Sequence, residues 1–442
     1  MVTDLLFTIL IIIFMILGIK NPVVAISAVL WIDTVKPQNT SFSFLAGKPL
    51  SLILTIFLFL SLLVSFKKLK SPKNKSFLIL MLSFMVWITI CTFYAQFPHV
   101  AWIKYDVSIK TLFLILFIPF VINSRREFDF ALAILTASSS LFIIMAGVKA
   151  AMGGGGYGVS LIGLQGSGFM YSEGSMLSTL AVCTIPLLTY LVNYSSLKGD
   201  FIFKCFSYFV IFCALLTLIG TQARTGFVVL CLYILLVLYY SKSRLKFSLI
   251  VAVAAFVILP FVTDGFKNRL DSISAGTTTE KSAVGRIAVW RWTLEYVKAS
   301  PIVGGGFYAY LANAGQLHLY SGKEGEVLIS QKGAKAYHNI LIEVLAETGY
   351  VGLCLFLLLI MQTLKINLRT AKMTKRCNVE NKSSYAFGAK NLNVFLLLYC
   401  AGGMFINVAF YPWVYYIFAL AVSNHKILQI EIEIEIENEK KI

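Results

Sequence analysis

A histidine and an arginine stand where polar segments meet apolar runs, and each could handle a proton or an anion. The segment "AYHNILIEVLAETGY", residues 336–350, opens with His338 and leads into an apolar run that carries Glu343 and Glu347 on its first turns. A neutral imidazole near pH 7 can take a proton from a hydroxyl, which makes His338 a candidate general base. Glu343 and Glu347 are four apart and share a helical face, whereas Glu343 is five from His338 and lies well off its face. Neither is read as the imidazole's partner, and the pair is expected to face the protein interior or a wet cleft. In "GTQARTGF", residues 220–227, Arg224 separates two apolar runs that are each too short to include it. An ionisable residue at membrane depth is costly and is by default a site candidate. A planar guanidinium suits bidentate phosphate recognition, and the alternative role is snorkelling to lipid headgroups.

The elements that must position these groups follow from composition. The 442 residues are 58% hydrophobic and 13% charged, far more apolar surface than one soluble core could bury. Apolar runs recur along the chain at close to the roughly 20 residues that cross about 30 Å of hydrocarbon, and they lack the alternation of a transmembrane β-barrel. The fold class is therefore an all-α polytopic integral membrane protein with about 12 transmembrane helices and one large extracytoplasmic loop containing amphipathic helices. Spans are expected near residues 5–18, 23–33, 51–66, 77–94, 110–122, 130–147, 176–193, 203–220, 227–240, 247–262, 339–363, 392–410 and 413–422. Pro22 breaks the first pair, so one interrupted element and a hairpin are both open.

The formal charge of +17 raises nucleic acid as a partner, but the basic residues collect in short clusters between spans and not on one soluble face. Clusters at residues 67–75, 124–128, 196–204, 241–246 and 365–376 are expected to be cytoplasmic. The linkers between them then face the other side. Seven of the eight cysteines fall in or beside apolar runs, giving neither a disulfide framework nor metal spacing. The organisation reads as an N-terminal transmembrane bundle over 1–262, a catalytic loop over 263–338 and C-terminal transmembrane helices over 339–424. The alternating "EIEIEIENEKKI" end, within 425–442, is expected to be a disordered cytoplasmic tail.

The long loop contains "GRIAVWRWTLEYVKASPIVGGGF", residues 285–307, an amphipathic helix closed by a proline–glycine stop. Ile287, Trp290, Leu294 and Val297 recur at helical spacing, while Arg286, Arg291, Glu295 and Lys298 take other positions. Such a helix could also lie along a membrane surface. The glycine-rich stretch at 153–168 lacks the lysine and hydroxyl of a nucleotide loop and reads as a rim.

Together, the "ARTGF" turn, the "GR…W" helix ending in Pro301 with its "GGGF" turn, and His338-Asn339 followed by Gly349 and Gly352 resemble the O-antigen ligase and polymerase superfamily of bacterial membrane glycosyltransferases. The resemblance is specific over residues 220–353, and the N-terminal stretch resembles a branch described as exosortase-associated putative O-glycosylation ligases. It implies metal-independent transfer of a glycan from undecaprenyl pyrophosphate to a hydroxyl of lipid A core, a glycan or a protein, on the periplasmic face of the inner membrane. No cofactor is implied, and no nucleic acid; membrane lipids surround the protein. His338 would deprotonate the acceptor, Arg224 and Arg286 would hold the pyrophosphate, and Arg291 would support them. Glu173, the one acid in "GFMYSEGSMLS" where that branch tends to carry several acidic and amide residues, and Asn339 are candidates for the acceptor or donor site. A repeat-unit polymerase would use the same donor chemistry. A transporter would instead need paired midplane breaks, for which Pro186 is the candidate, and a scaffold would tolerate changes at Arg224, Arg286 and His338.

Overall fold

The computed structural model describes residues 2–41, 43–156, 158–162, 173–241, 243–258, 281–321 and 333–440. Parts of the glycine-rich stretch and of the acceptor-site stretch, and loop residues 259–280 and 322–332, lie outside the described residues. Within them all regular structure is helical. The longer helices are α1 (Val2–Gly18), α2 (Pro22–Val35), α3 (Leu50–Val64), α4 (Ser76–Phe93), α5 (Pro98–Ile115), α6 (Arg125–Ala151) and α7 (Gly174–Tyr194). They continue with α8 (Phe201–Thr221), α9 (Arg224–Tyr240), α10 (Arg244–Ile258), α11 (Lys281–Ala299), α12 (Ile340–Met373), α13 (Lys382–Gly403) and α14 (Pro412–Glu439).

Local sequence sets the boundaries. Ser124 and Glu127 form a reciprocal cap at the start of α6: the Ser124 hydroxyl accepts the Glu127 N–H, and the Glu127 carboxylate accepts the Ser124 N–H at 3.0 Å. Prolines open α2, α5 and α14 at their first turns, where no N–H is missed. Among the described residues five helices, α4, α6, α7, α8 and α12, are long and apolar enough to cross a membrane, and α1, α3 and α9 are apolar but shorter. That is fewer than the 12 or so spans the apolar runs suggest. The run at 110–122, for one, divides between the end of α5 and a one-turn helix at Ile118–Val121 that contains Pro119. Conversely, α7 runs unbroken through Pro186, so the break that a transporter reading would use is not there.

The basic connections and the His338 end lie at opposite ends of the bundle. Asn123 donates to the Lys68 carbonyl, and Arg125, Arg126, Ser196, Lys198 and Asn378 line one cleft at the basic end. Helices α7 and α12 start at the other end and run towards it, while α6 and α8 run the opposite way.

The C-terminal segment corrects an expectation. Residues 425–439 are not disordered; they continue α14, which stays helical to Glu439. Alternating Ile and Glu suggests a strand, but both are compatible with a helix, and tertiary contacts decide. His425 Nδ1 lies 2.9 Å from the Thr370 hydroxyl, and Ile427 and Leu428 are buried. Lys426 Nζ donates to the carbonyls of Lys70 (3.0 Å) and Pro119 (2.6 Å) and to Asn123 Oδ1 (2.8 Å).

The described part of the long loop folds as α11 followed by two 3-10 turns, Ala309–Asn313 and Leu317–Tyr320. The buried stripe of α11 is Val284, Ala288, Val289, Trp292, Thr293 and Val297, whereas Ile287 and Leu294 are 45% and 47% exposed. Of the expected apolar positions, Val297 is buried and Trp290 packs against the loop core, whereas Ile287 and Leu294 face outward. Apolar residues occupy both sides of this helix, and the Trp292 indole selects the inner side by donating to Gln316 at 2.9 Å.

Candidate active site at the converging helix ends

The "PIVGGGF" turn docks on α12 where that helix bends. Gly349 adopts φ 67° and ψ −173°, and a Cβ there would stand 2.0 Å from the Ile302 carbonyl oxygen, so only glycine fits. The bend frees carbonyls of α12, and other groups satisfy them. Gly305 N–H donates to Ala346 O at 2.8 Å, Gly306 N–H to Glu347 O at 3.1 Å, and the Trp87 indole to Thr348 O at 2.9 Å.

Beneath this joint is a buried ion cluster. Lys104 of α5 reaches Glu343 Oε1 at 3.0 Å and Glu347 Oε2 at 2.7 Å, with the two carboxylate side chains 5% and 1% exposed. Glu343 Oε2 also accepts the Ala409 N–H at 3.0 Å, and Glu347 Oε1 accepts the Tyr308 N–H at 2.9 Å. Phe307, Tyr308 and Phe410 place their rings around the ammonium at 5.1, 5.3 and 4.8 Å. The glutamates therefore pair with a helix lysine and not with loop arginines. They tie α5, α12, the glycine turn and the α13–α14 connection into one unit.

That unit holds His338. Its backbone takes a left-handed φ of 48°, a costly conformation for a residue with a Cβ. It is held there by Asn407, two residues before Ala409, whose Oδ1 accepts the His338 N–H at 2.7 Å. Trp290 of α11 fixes the preceding residue by donating to the Tyr337 carbonyl at 2.8 Å. His338 then lines a cleft of about 480 Å³ with Glu173, Gly174, Ser175, Thr221, Ala223, Gly285, Arg286, Val289 and Lys335 among its neighbours.

Two helix N-termini open on this cleft. Gly174 and Ser175 begin α7 and Ala223 precedes α9, and neither start carries a side-chain cap. The positive end of the helix dipole favours an anion there. Arg286 adds a full positive charge. Burial, with the charges of Arg286 and Lys335, lowers His338 from its ordinary value to about 4, so its imidazole is neutral at physiological pH. Burial raises the Glu173 carboxyl, against a smaller opposing pull from Arg286.

The structure thus gathers His338, Arg286 and Glu173 in one cleft. Arg224 stands at the first turn of α9, one residue beyond the wall formed by Ala223. Arg291 is exposed, donates to the Tyr320 carbonyl at 3.4 Å, and is not among the lining residues. Asn339 is buried and commits its side-chain oxygen to capping α12, accepting from Leu341 and Ile342 at 2.9 and 3.2 Å. Sequence reasoning misses Lys104, Asn407 and Lys335. A lone lysine between Trp102 and Tyr105 is the one signal available for the first.

Helices of membrane-crossing length with a cationic cleft at their converging N-termini define a helical membrane protein whose site suits an anionic substrate. Residues 209–357 match the family model described as O-antigen ligase. That segment, which holds Arg224, Arg286 and His338, is similar to the O-antigen ligase superfamily. Residues 2–196 match a family of unknown function, and no curated protein matches the chain. The ligase-family match supports a glycan-transfer role in polysaccharide assembly.

Proposed function

We propose that this cleft transfers a glycan from a polyprenyl pyrophosphate carrier, of the undecaprenyl type, to an acceptor hydroxyl on lipid A core or protein. The observation that carries this reading is the convergence of His338 and Arg286 with two uncapped helix N-termini on one cleft. The acceptor oxygen attacks the anomeric carbon, its proton passes to the His338 imidazole, and the bond to the pyrophosphate breaks with both electrons leaving on that group. Arg286, Arg224 and the helix N-termini stabilise the charge that develops there, without a metal ion. The basic connections at the far end of the bundle support a periplasmic cleft in an inner-membrane protein.

The experiment is turnover of a polyprenyl-pyrophosphate-linked saccharide by the purified full-length chain in EDTA. Transfer to an acceptor hydroxyl is expected, and Arg286→Lys should lower kcat/KM by about 10²-fold, because a point charge does not reproduce a bidentate fork. Absence of transfer with every hydroxyl acceptor offered would sink the reading. In cells, deletion should leave long glycans on the lipid carrier; accumulation of single repeat units would identify a polymerase instead.

The low proton affinity of His338 gives a pH prediction. In the free enzyme the imidazole is deprotonated above about 4, so the acid limb of kcat/KM should fall near that value. Bound pyrophosphate offsets the two cations that lower it, so the acid limb of kcat should lie higher. Coincident limbs would show that the donor does not meet those cations.

A further inference from the structure

Nothing in "KAYHN" marks Lys335, yet its surroundings are built around it. Asn313, fully buried at the end of the first 3-10 turn, accepts the Lys335 N–H through Oδ1 at 2.9 Å and donates Nδ2 to the Lys335 carbonyl at 2.8 Å. This two-point clamp fixes the lysine backbone as a neighbouring strand would. The side chain then crosses α11 at Gly285: a Cβ built there would stand 2.6 Å from Lys335 Nζ. The glycine before Arg286 is thus the seat of an ammonium. Both residues line the same cleft as Arg286 and His338, and burial lowers the proton affinity of the lysine. Among the described residues no carboxylate forms an ion pair with it.

We propose that Lys335 is a donor-binding residue whose ammonium, seated on Gly285 beside Arg286, contacts the pyrophosphate of the lipid-linked glycan. The assignment rests on the donor chemistry proposed above. A flexible stem carrying a compact charge complements the fixed fork of Arg286, because an ammonium can follow a phosphate oxygen as the pyrophosphate departs. The left-handed backbone of His338 and the Asn313 clamp on Lys335 hold the proton acceptor and this cation within one short segment, three residues apart in sequence.

The test uses the full-length chain in lipid nanodiscs with a polyprenyl-pyrophosphate-linked saccharide as donor and inorganic pyrophosphate as competitor. Lys335→Ala should raise the donor KM and the inhibition constant of pyrophosphate by about tenfold, the scale of one charge-assisted hydrogen bond. Lys335→Met, which keeps the stem packed on α11, should behave alike and guards against a folding defect. Gly285→Ala should reproduce most of the loss in the wild-type background and add little to Lys335→Ala, since the ammonium it displaces is already gone. Among the groups facing His338 in the cleft, Arg286 and Glu173 remain in these lysine variants, so the acid limb of kcat/KM should move upward by the influence of one cation. Wild-type turnover with an unchanged donor KM in both lysine variants, or Gly285 and Lys335 losses that simply add, overturns this assignment and leaves the transferase standing. A wild-type chain that neither binds nor turns over the donor overturns both.

Discussion

Replacing His338 by alanine is expected to lower glycan transfer by about 10²- to 10⁴-fold, the usual contribution of a positioned general base. Donor binding should persist, because Arg286, Lys335 and the starts of α7 and α9 remain. The two effects separate in a competition assay with labelled lipid-linked donor, run beside turnover. Full activity in the variant would remove the proton acceptor from the mechanism. Loss of donor binding equal to the loss of rate would instead make the imidazole a binding group. The neutral state of His338 sharpens the expectation: a cationic imidazole would attract the pyrophosphate, whereas one with a value of about 4 does not.

The second large effect is predicted away from the reacting atoms. Lys104→Met should cost about 3–5 kcal/mol of stability, because it leaves two buried carboxylates facing each other without their cation. Thermal unfolding of the detergent-solubilised protein measures this. Adding Glu343→Gln and Glu347→Gln should recover part of the loss by removing the unpaired charges. Recovery will be incomplete, since Glu343 also holds the Ala409 N–H and Glu347 the Tyr308 N–H. A Lys104→Met protein as stable as the wild type would mean that the cluster is solvated and does not fasten the joint. Activity should suffer with stability, because Ala409 is two residues from Asn407, which holds the His338 backbone.

The parts of this molecule legible in its sequence are those written in local pattern. The apolar runs at 176–193 and 203–220 became α7 and α8 within two residues at each end, because hydrophobic length and flanking polar residues set such boundaries. His338 and Arg286 were legible through residue type and motif order, and the structure brings them to one cleft. Pairings between distant segments were not. Lys104 meets Glu343 and Glu347 across more than two hundred residues, and no periodicity encodes that. Asn407 lay inside a run read as a continuous span, whereas α13 stops at Gly403 and the turn after it carries the asparagine. The inner face of α11 was legible at Trp290 and Val297 but not at Ile287 and Leu294, because both sides of the helix are apolar and the Trp292 contact with Gln316 turned those two outward.

The central place of α14 bears on how the protein is made. Nearly every residue from Trp413 to Leu428 is buried, and Lys426 saturates oxygens of the connections at Lys70, Pro119 and Asn123. A ribosome delivers this helix after the other described helices, so those oxygens wait through most of translation for their donor. A stop codon ahead of residue 426 should therefore leave the early helices without this core and yield a chain for the quality-control proteases to remove.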